Sequence, residues 1–315
     1  MNEFLVKLFI FSTIFIGLCY GVDYLIEKGI KTSSYREISK WSEVIEGGID
    51  ADILIVGSSR ALVHFDPRII ENNTGFTCYN LGLDGSKYES QKKVLNLYLE
   101  HNKEPKIVIW SLDLGSFQSI EGVYRYEQFL PFWDEKMVKS ILKLNKNQDQ
   151  DYLNIPIAKY SNNPYLKYRG LLKKVGVNFS EPNLYKGYRE SNFRWDNNFE
   201  KFSQENAEGI SEIVSEPLFG DFQDLCLILK ARDIDIHWVV APYYQEALKL
   251  IVNSDEIIQK YRDVSNRIDV EFQDYTSNPL SYETGNFYNG SHLNSRGVKK
   301  FMEVYFNHSF KICVF

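Results

Sequence analysis

The chain begins with an apolar stretch over residues 4–26 that only Lys7 and Asp23 interrupt, and residues 8–22 carry no charge. A run of about 20 mainly apolar residues can cross a bilayer, whereas a secretory signal core is about 7–15 residues long. No small-x-small cleavage pattern follows, so residues 1–30 read as an uncleaved membrane anchor with a short stalk, the lipid bilayer being its partner. Leu18 stands before Cys19, where a lipoprotein signal wants a small residue. Downstream the pattern changes. Residues 31–50 read as a stalk or first helix with a small apolar face of Trp41, Val44 and Ile45. Apolar runs at 53–56, 76–81, 106–112, 234–241 and 269–274 then alternate with stretches of helical spacing. Continuous apolar runs of this length suit strands buried on both faces.

Between the runs, Ser86 and Glu89 form a capping-box pattern ahead of Val94, Leu95 and Tyr98, and the helix stops near Asn102. Leu218, Phe222, Leu225 and Leu229 recur at helical spacing, residues 256–264 make another helix, and a last one from Asn294 carries Val298, Phe301, Met302 and Tyr305 on one face. Strand and helix in alternation predict a three-layer α/β/α sandwich over residues 31–315 with a five-stranded parallel sheet. Ligands of such sheets bind at the strands' carboxyl ends. The rhythm breaks at about 118–216. This insert holds eight tyrosines and two tryptophans, with short helical patterns near 138–144 and 166–175. A structureless loop of that length does not belong in a compact domain, so a helical cap over the sheet edge is expected, either a substrate lid or a packing or partner surface.

Composition removes some functions. The chain has 315 residues, 44% hydrophobic and 25% charged, and a net charge of −6 without a basic stripe, which argues against a nucleic-acid partner. Its 21 Tyr, 21 Phe and 5 Trp suit either a large core or a sugar-binding surface. Four cysteines show no paired spacing, so neither a disulfide framework nor a zinc site is expected, and no cofactor or metal is implied.

Two short segments carry candidate chemistry. Gly57-Ser58-Ser59-Arg60 follows the first strand, and Asn289-Gly290-Ser291-His292 precedes the last helix. A serine at a strand's carboxyl end and a histidine before a late helix can meet at one sheet edge as nucleophile and general base. Of the five histidines, His237 sits inside an apolar strand and His64 on the short helix after Ser59, while His292 alone occupies a Gly-Ser-His turn. Gly-Ser-Ser also suits a phosphate-binding turn, but no Gly-x-Gly-x-x-Gly fingerprint or Walker lysine lies near it.

The ordered set Gly57-Ser58-Ser59, Asn80-x-Gly82-x-x-Gly85 and Asn289-x-x-His292 resembles the SGNH/GDSL hydrolase superfamily, across the sheet but not the insert or the apolar stretch. The resemblance implies a flavodoxin-like fold, with Ser59 as nucleophile and His292 as general base. It implies an oxyanion hole from the backbone N–H groups of Ser59 and Gly85. Asn289 stands where the family has aspartate. The third block, Trp110-Ser111-Leu112-Asp113, lacks the family's asparagine and leaves Asp113 at that strand end. Arg60, beside the nucleophile, either holds an anionic group or pairs with a carboxylate. Glu283 or Asp274 would replace the missing acid if folded close.

What the resemblance implies is a membrane-anchored serine esterase or O-acyltransferase, acting on acetyl or other acyl esters of an envelope or exopolysaccharide. A membrane acyl donor is a possible partner, and the body would be extracytoplasmic (periplasmic). Lys28, Lys31 and Arg36 follow the apolar stretch, so the positive-inside rule does not itself favour an exported body. The alternative is a catalytically degenerate member serving polysaccharide assembly or sugar binding, which Asn289 and the altered third block favour. A nucleotide-binding Rossmann-like protein is a third reading, opposed by the missing glycine fingerprint.

Overall fold

The computed structural model describes residues 2–146, 151–177, 179–180, 184–196 and 198–309. Five strands, β1 Ile53–Gly57, β2 Cys78–Asn80, β3 Ile107–Ser111, β4 Asp235–Val240 and β5 Glu271–Asp274, form one sheet in the spatial order β2-β1-β3-β4-β5. Every pairing is parallel. This is the flavodoxin-like order, in which the winding reverses between β1 and β3 and opens a crevice at their carboxyl ends. All five expected strands are present, β1 one residue longer and the other four shorter than the sequence suggests.

Alternate residues of each strand serve opposite faces. Leu54, Val56, Val108, Trp110, Ile236 and Trp238 join one core. Helices α4 (Tyr88–His101), α6 (Glu216–Lys230) and α7 (Ser254–Arg267) cover it. Ile53, Ile55, Ile107, Ile109 and Val239 point into a second core under α8, Ser295–Ser309, which supplies Val298, Phe301, Met302 and Tyr305. Covering both faces explains why the inner strands β1, β3 and β4 read as largely apolar runs, whereas the edge strand β5, Glu-Phe-Gln-Asp, is polar and only part-buried.

The amino-terminal helix α1, Asn2–Ile30, is long and apolar enough to be a membrane anchor or a signal sequence. Its last turns behave differently. Asp23, Ile26 and Ile30 are buried, and this end packs on α5, Pro164–Lys174, within the insert. The crossing is close: a Cβ on Gly29 would come within 1.9 Å of the Gly170 carbonyl oxygen. Lys159, only 3% exposed, pairs with Asp23 at 2.9 Å and also with Glu27. The acid that interrupts the apolar run at Asp23 is thereby matched inside the fold.

Of the two readings of residues 31–50, the first helix is the one present: α2, Ile38–Glu46, lies against the body, with Trp41 buried and its Nε1–H donating to Gln128 Oε1 at 2.7 Å. One expectation is corrected. The Ser86–Glu89 capping box does not form. Lys87 is the N-cap without a side-chain bond, the Ser86 hydroxyl donates to the Gly57 carbonyl, and Glu89 accepts from the Ile120 N–H. The glycine turn drops Ser86 against the end of β1, one step too early to cap.

The insert divides its work. Phe129, Phe132, Val138, Ile141, Tyr160 and Leu166 extend the first core towards α1. Its later part, from the hairpin Leu184–Tyr185 and Tyr188–Arg189 through the helix Asn198–Glu205, approaches the carboxyl edge of the sheet. Cys19, Cys78 and Cys226 are free thiols, and Cys313 lies outside the described residues.

Candidate active site

The crevice begins at Gly57. Its φ is +150°, and a Cβ there would come within 2.7 Å of the Ser111 carbonyl oxygen and 2.8 Å of Ala61 Cβ. Only glycine lets β1 turn this sharply beside β3 into α3, Ser59–His64. Ser58 caps that helix by accepting the Arg60 N–H at 3.2 Å, which leaves Ser59 at its first position. The early N–H groups of a helix have no intrahelical carbonyl to bond, so the Ser59 amide is a donor beside its own hydroxyl.

His292 arrives from the other end of the chain on a tight hairpin, Phe287–Asn289 with His292–Leu293. Ser59 Oγ and His292 Nε2 are 2.7 Å apart. Asn289 Oδ1 accepts the backbone N–H groups of Ser291 at 3.1 Å and His292 at 3.0 Å, which fixes oxygen rather than nitrogen at that place. The same oxygen is 2.9 Å from His292 Nδ1, so Nδ1 carries the proton. Nε2 is then the bare nitrogen, and the Ser59 hydroxyl donates to it. Ser291 Oγ lies 3.1 Å from Nδ1 and shares that proton.

Burial lowers the His292 pKa to about 3, and the Arg60 and Arg189 charges push in the same direction. No carboxylate offsets them. The imidazole is therefore neutral at ordinary pH, in the correct tautomer to receive a proton, but a weak base at rest.

Asp113 at the end of β3 accepts from the Ser58 hydroxyl and from Arg60 Nη1 at 3.2 Å. Arg60 is 3% exposed. It donates also to the Ala241 and Pro242 carbonyls and lies 3.5 Å from the centre of the Tyr243 ring. It ties the ends of β1, β3 and β4 together at the crevice, with Asp113 as its carboxylate partner. Neither Glu283 nor Asp274 reaches His292: Glu283 pairs with Lys300 and Arg296, and Asp274 accepts from Thr276 and pairs with Arg262.

The cavity against these groups holds about 470 Å³ and is lined in part by Ser59, Arg60, Asp113, Asn289 and His292. Gly85 is absent from its lining. That residue turns with φ +61° against the Tyr124 ring, where a Cβ would come within 2.7 Å. Asn80 is likewise structural, its amide donating to the Ala61 and Phe65 carbonyls while its oxygen accepts from the Gly82 N–H. Lys87, Gly115 and Glu212 occupy the wall instead.

No family model matches the chain, and no curated protein matches it. Two solved structures are similar. A gut microbial diltiazem-metabolizing enzyme shares 12% identity over 84% of this chain with a TM-score of 0.39, and this chain spans about half, 48%, of its length. A candidate acylhydrolase from Bacteroides fragilis shares 12% identity over 86% of this chain and 94% of its own, with a TM-score of 0.37. At 12% identity, what this chain does has to come from its own site.

Several supporting residues were not visible in sequence. Tyr288 stacks flat on the His292 ring, with centroids 5.2 Å apart at 14°. Arg189 hydrogen-bonds Tyr288 and is held by Glu37 at 2.6 Å. His64 Nε2 accepts the Leu293 N–H at 2.9 Å, pinning the residue after the base, and its burial holds its pKa well below the usual histidine value. Lys40, fully enclosed, donates to the Gly82 and Gly187 carbonyls, and burial lowers its pKa to about 8. Each of these contacts joins residues remote in sequence, except Tyr288, whose place next to Asn289 was the one available hint.

Proposed function

We propose that this chain is a serine esterase or O-acyltransferase of SGNH type, membrane-anchored through α1, that moves an acyl group between hydroxyl-bearing molecules. The observation that carries the reading is the meeting of Ser59, His292 and Asn289 from opposite ends of the chain in one hydrogen-bonded line, at 2.7 and 2.9 Å. Ser59 Oγ attacks the ester carbonyl carbon while its proton passes to His292 Nε2. The tetrahedral oxyanion forms beside the Ser59 N–H. Collapse breaks the bond to the alcohol oxygen, which leaves with the proton from Nε2, and the acyl group stays on Ser59. Water or a sugar hydroxyl then gives its proton to His292 Nε2 and takes the acyl group, and Ser59 Oγ leaves as a hydroxyl with that proton. An envelope or exopolysaccharide is the proposed acceptor or ester, with the body extracytoplasmic. The resemblance in the Gly57, Asn80 and Asn289 blocks supports that placement, and a reporter at the carboxyl terminus active on only one side of the membrane tests it.

A fluorophosphonate probe tests the chemistry. Labelling of the full chain at Ser59 that is lost in both Ser59→Ala and His292→Ala is the expected result. Absence of labelling, together with inertness towards small acyl esters, would favour the second reading, a degenerate scaffold that binds glycan. The specific observation behind that reading is the missing carboxylate behind His292.

A further inference from the structure

We infer that one wall of the Ser59 cavity is a subsite for the acyl chain, and that the chain it takes is longer than acetyl. The inference rests on the nucleophile assignment above and names the substrate class of that site.

Two segments remote in sequence build this wall. One is the end of the insert, comprising the helix Asn198–Glu205 and Ile210. The other is the stretch after β4 that contains Ala247 and Ile251. The backbone joins them: Ile210 and Ile251 pair in parallel, Ile210 N–H donates to the Leu250 carbonyl at 2.6 Å, and Val252 N–H donates to the Ile210 carbonyl at 3.0 Å. Rings join them too, with Phe199 5.4 Å and Trp195 4.9 Å from Tyr244, both edge-on. Phe199, Phe202, Ile210, Ala247 and Ile251 thus line the cavity together beside Gly290 and His292. These five side chains can bond no hydroxyl, while Asp196 and Asn198 of the same segment put polar groups at the edge of that wall.

The other side of the cavity is polar. The Lys87 ammonium and the Glu212 carboxylate both lie over Gly115, where a Cβ would come within 2.8 and 2.6 Å of them, and Asp113 stands beside them on the lining. Ser59 lies on the same lining, so an ester attacked there has a polar wall for its alcohol and an apolar wall for its chain. Acetyl would leave the second wall unused. Phe199 and Phe202 are three residues apart on a short helix that buries no residue, with Glu200, Lys201 and Glu205 on its other positions. Such a helix gains a cover for its rings when an alkyl chain occupies the cavity. A cavity of about 470 Å³ is within the range of small-molecule sites.

The test uses the full chain in lipid nanodiscs, so that no detergent tail competes. Labelling rates at Ser59 are compared for alkyl fluorophosphonates carrying ethyl and octyl chains. The octyl probe is expected to react faster by about tenfold or more, because each further buried methylene adds favourable transfer energy. The octyl-to-ethyl ratio is expected to fall towards unity in Phe202→Ala, whose ring is 45% exposed and so removable without a core cavity. A second readout does not need turnover. In Ser59→Ala, octanoate should quench Trp195 fluorescence and acetate should not, with Trp195→Phe as control. Equal or faster labelling by the ethyl probe, or no octanoate response, overturns the subsite. No labelling by either probe removes the nucleophile assignment, and the octanoate titration then decides the subsite alone.

Discussion

Asn289 limits how strong a base His292 can be. Its amide oxygen orients the ring as a carboxylate would, but it supplies no negative charge to an imidazolium flanked by Arg60 and Arg189. Asn289→Asp should therefore raise the His292 pKa from about 3, moving the acid limb of the pH–rate profile to higher pH. Turnover should rise by about tenfold or more, since the reverse change in a serine protease costs about 10⁴. Unchanged rates and an unmoved acid limb would remove His292 as the limiting base. Asp113 has a different task. Losing its carboxylate strands Arg60 in the interior, so Asp113→Asn should lower the thermal midpoint markedly, an unpaired buried charge costing about 3–5 kcal/mol. Adding Arg60→Met to that variant should recover part of the loss, and a double variant worse than the sum would refute the pairing. Ser59, His292 and Asn289 could be read from the chain because local turn chemistry fixes them: a cap after a strand, and an amide closing a hairpin on its own next residues. Gly85 keeps the positive φ of its turn, and the Tyr124 ring of the insert, 39 positions away, packs where a Cβ would stand, a contact that no local pattern announces.

Elements were more legible than the contacts between them. The five strands and the helices near residues 88, 216, 254 and 295 follow from apolar periodicity, which the sandwich imposes on every covered strand. The role of the insert was not legible, because Lys159 gives no sign in sequence that its partners are Asp23 and Glu27, over 130 positions earlier. That ion cluster and the Gly29–Gly170 crossing fix the end of α1 to α5. Gly170→Leu should force the helices apart, because its Cβ would sit 2.5 Å from the Ile26 carbonyl oxygen. The expected outcome is a lower midpoint for the full chain and faster proteolysis of the insert around residue 155. A variant as protease-resistant as the parent would mean that the crossing does not hold the two together.

At the scale of the whole molecule, the site lies where the sheet reverses its winding, and it is closed by a hairpin that His64 pins and His292 completes. Both histidines are held neutral by burial, and this sets how the fold responds to acid. Their folded pKa values lie below the unfolded value of about 6.5, so between those limits the unfolded chain binds more protons and stability rises with pH. As pH falls below about 6.5, each histidine withdraws up to about 1.4 kcal/mol per pH unit, His292 until about pH 3. The carboxylates whose pKa values are lowered, such as Asp52, Asp221 and Asp235, lose their contribution only as pH falls through the usual carboxylate range and below. The two causes therefore separate along the pH axis. Thermal midpoints should decline from pH 6.5 downwards in the parent chain, before those lowered carboxylates titrate. His64→Gln keeps an acceptor for the Leu293 N–H and removes one titrating group, so its decline between pH 6.5 and 4.5 should be shallower by about one proton. A parent midpoint that stays level down to pH 4.5 would mean that the two imidazoles are already accessible to protons in the folded chain. In that case the neutral base proposed for Ser59 would not exist.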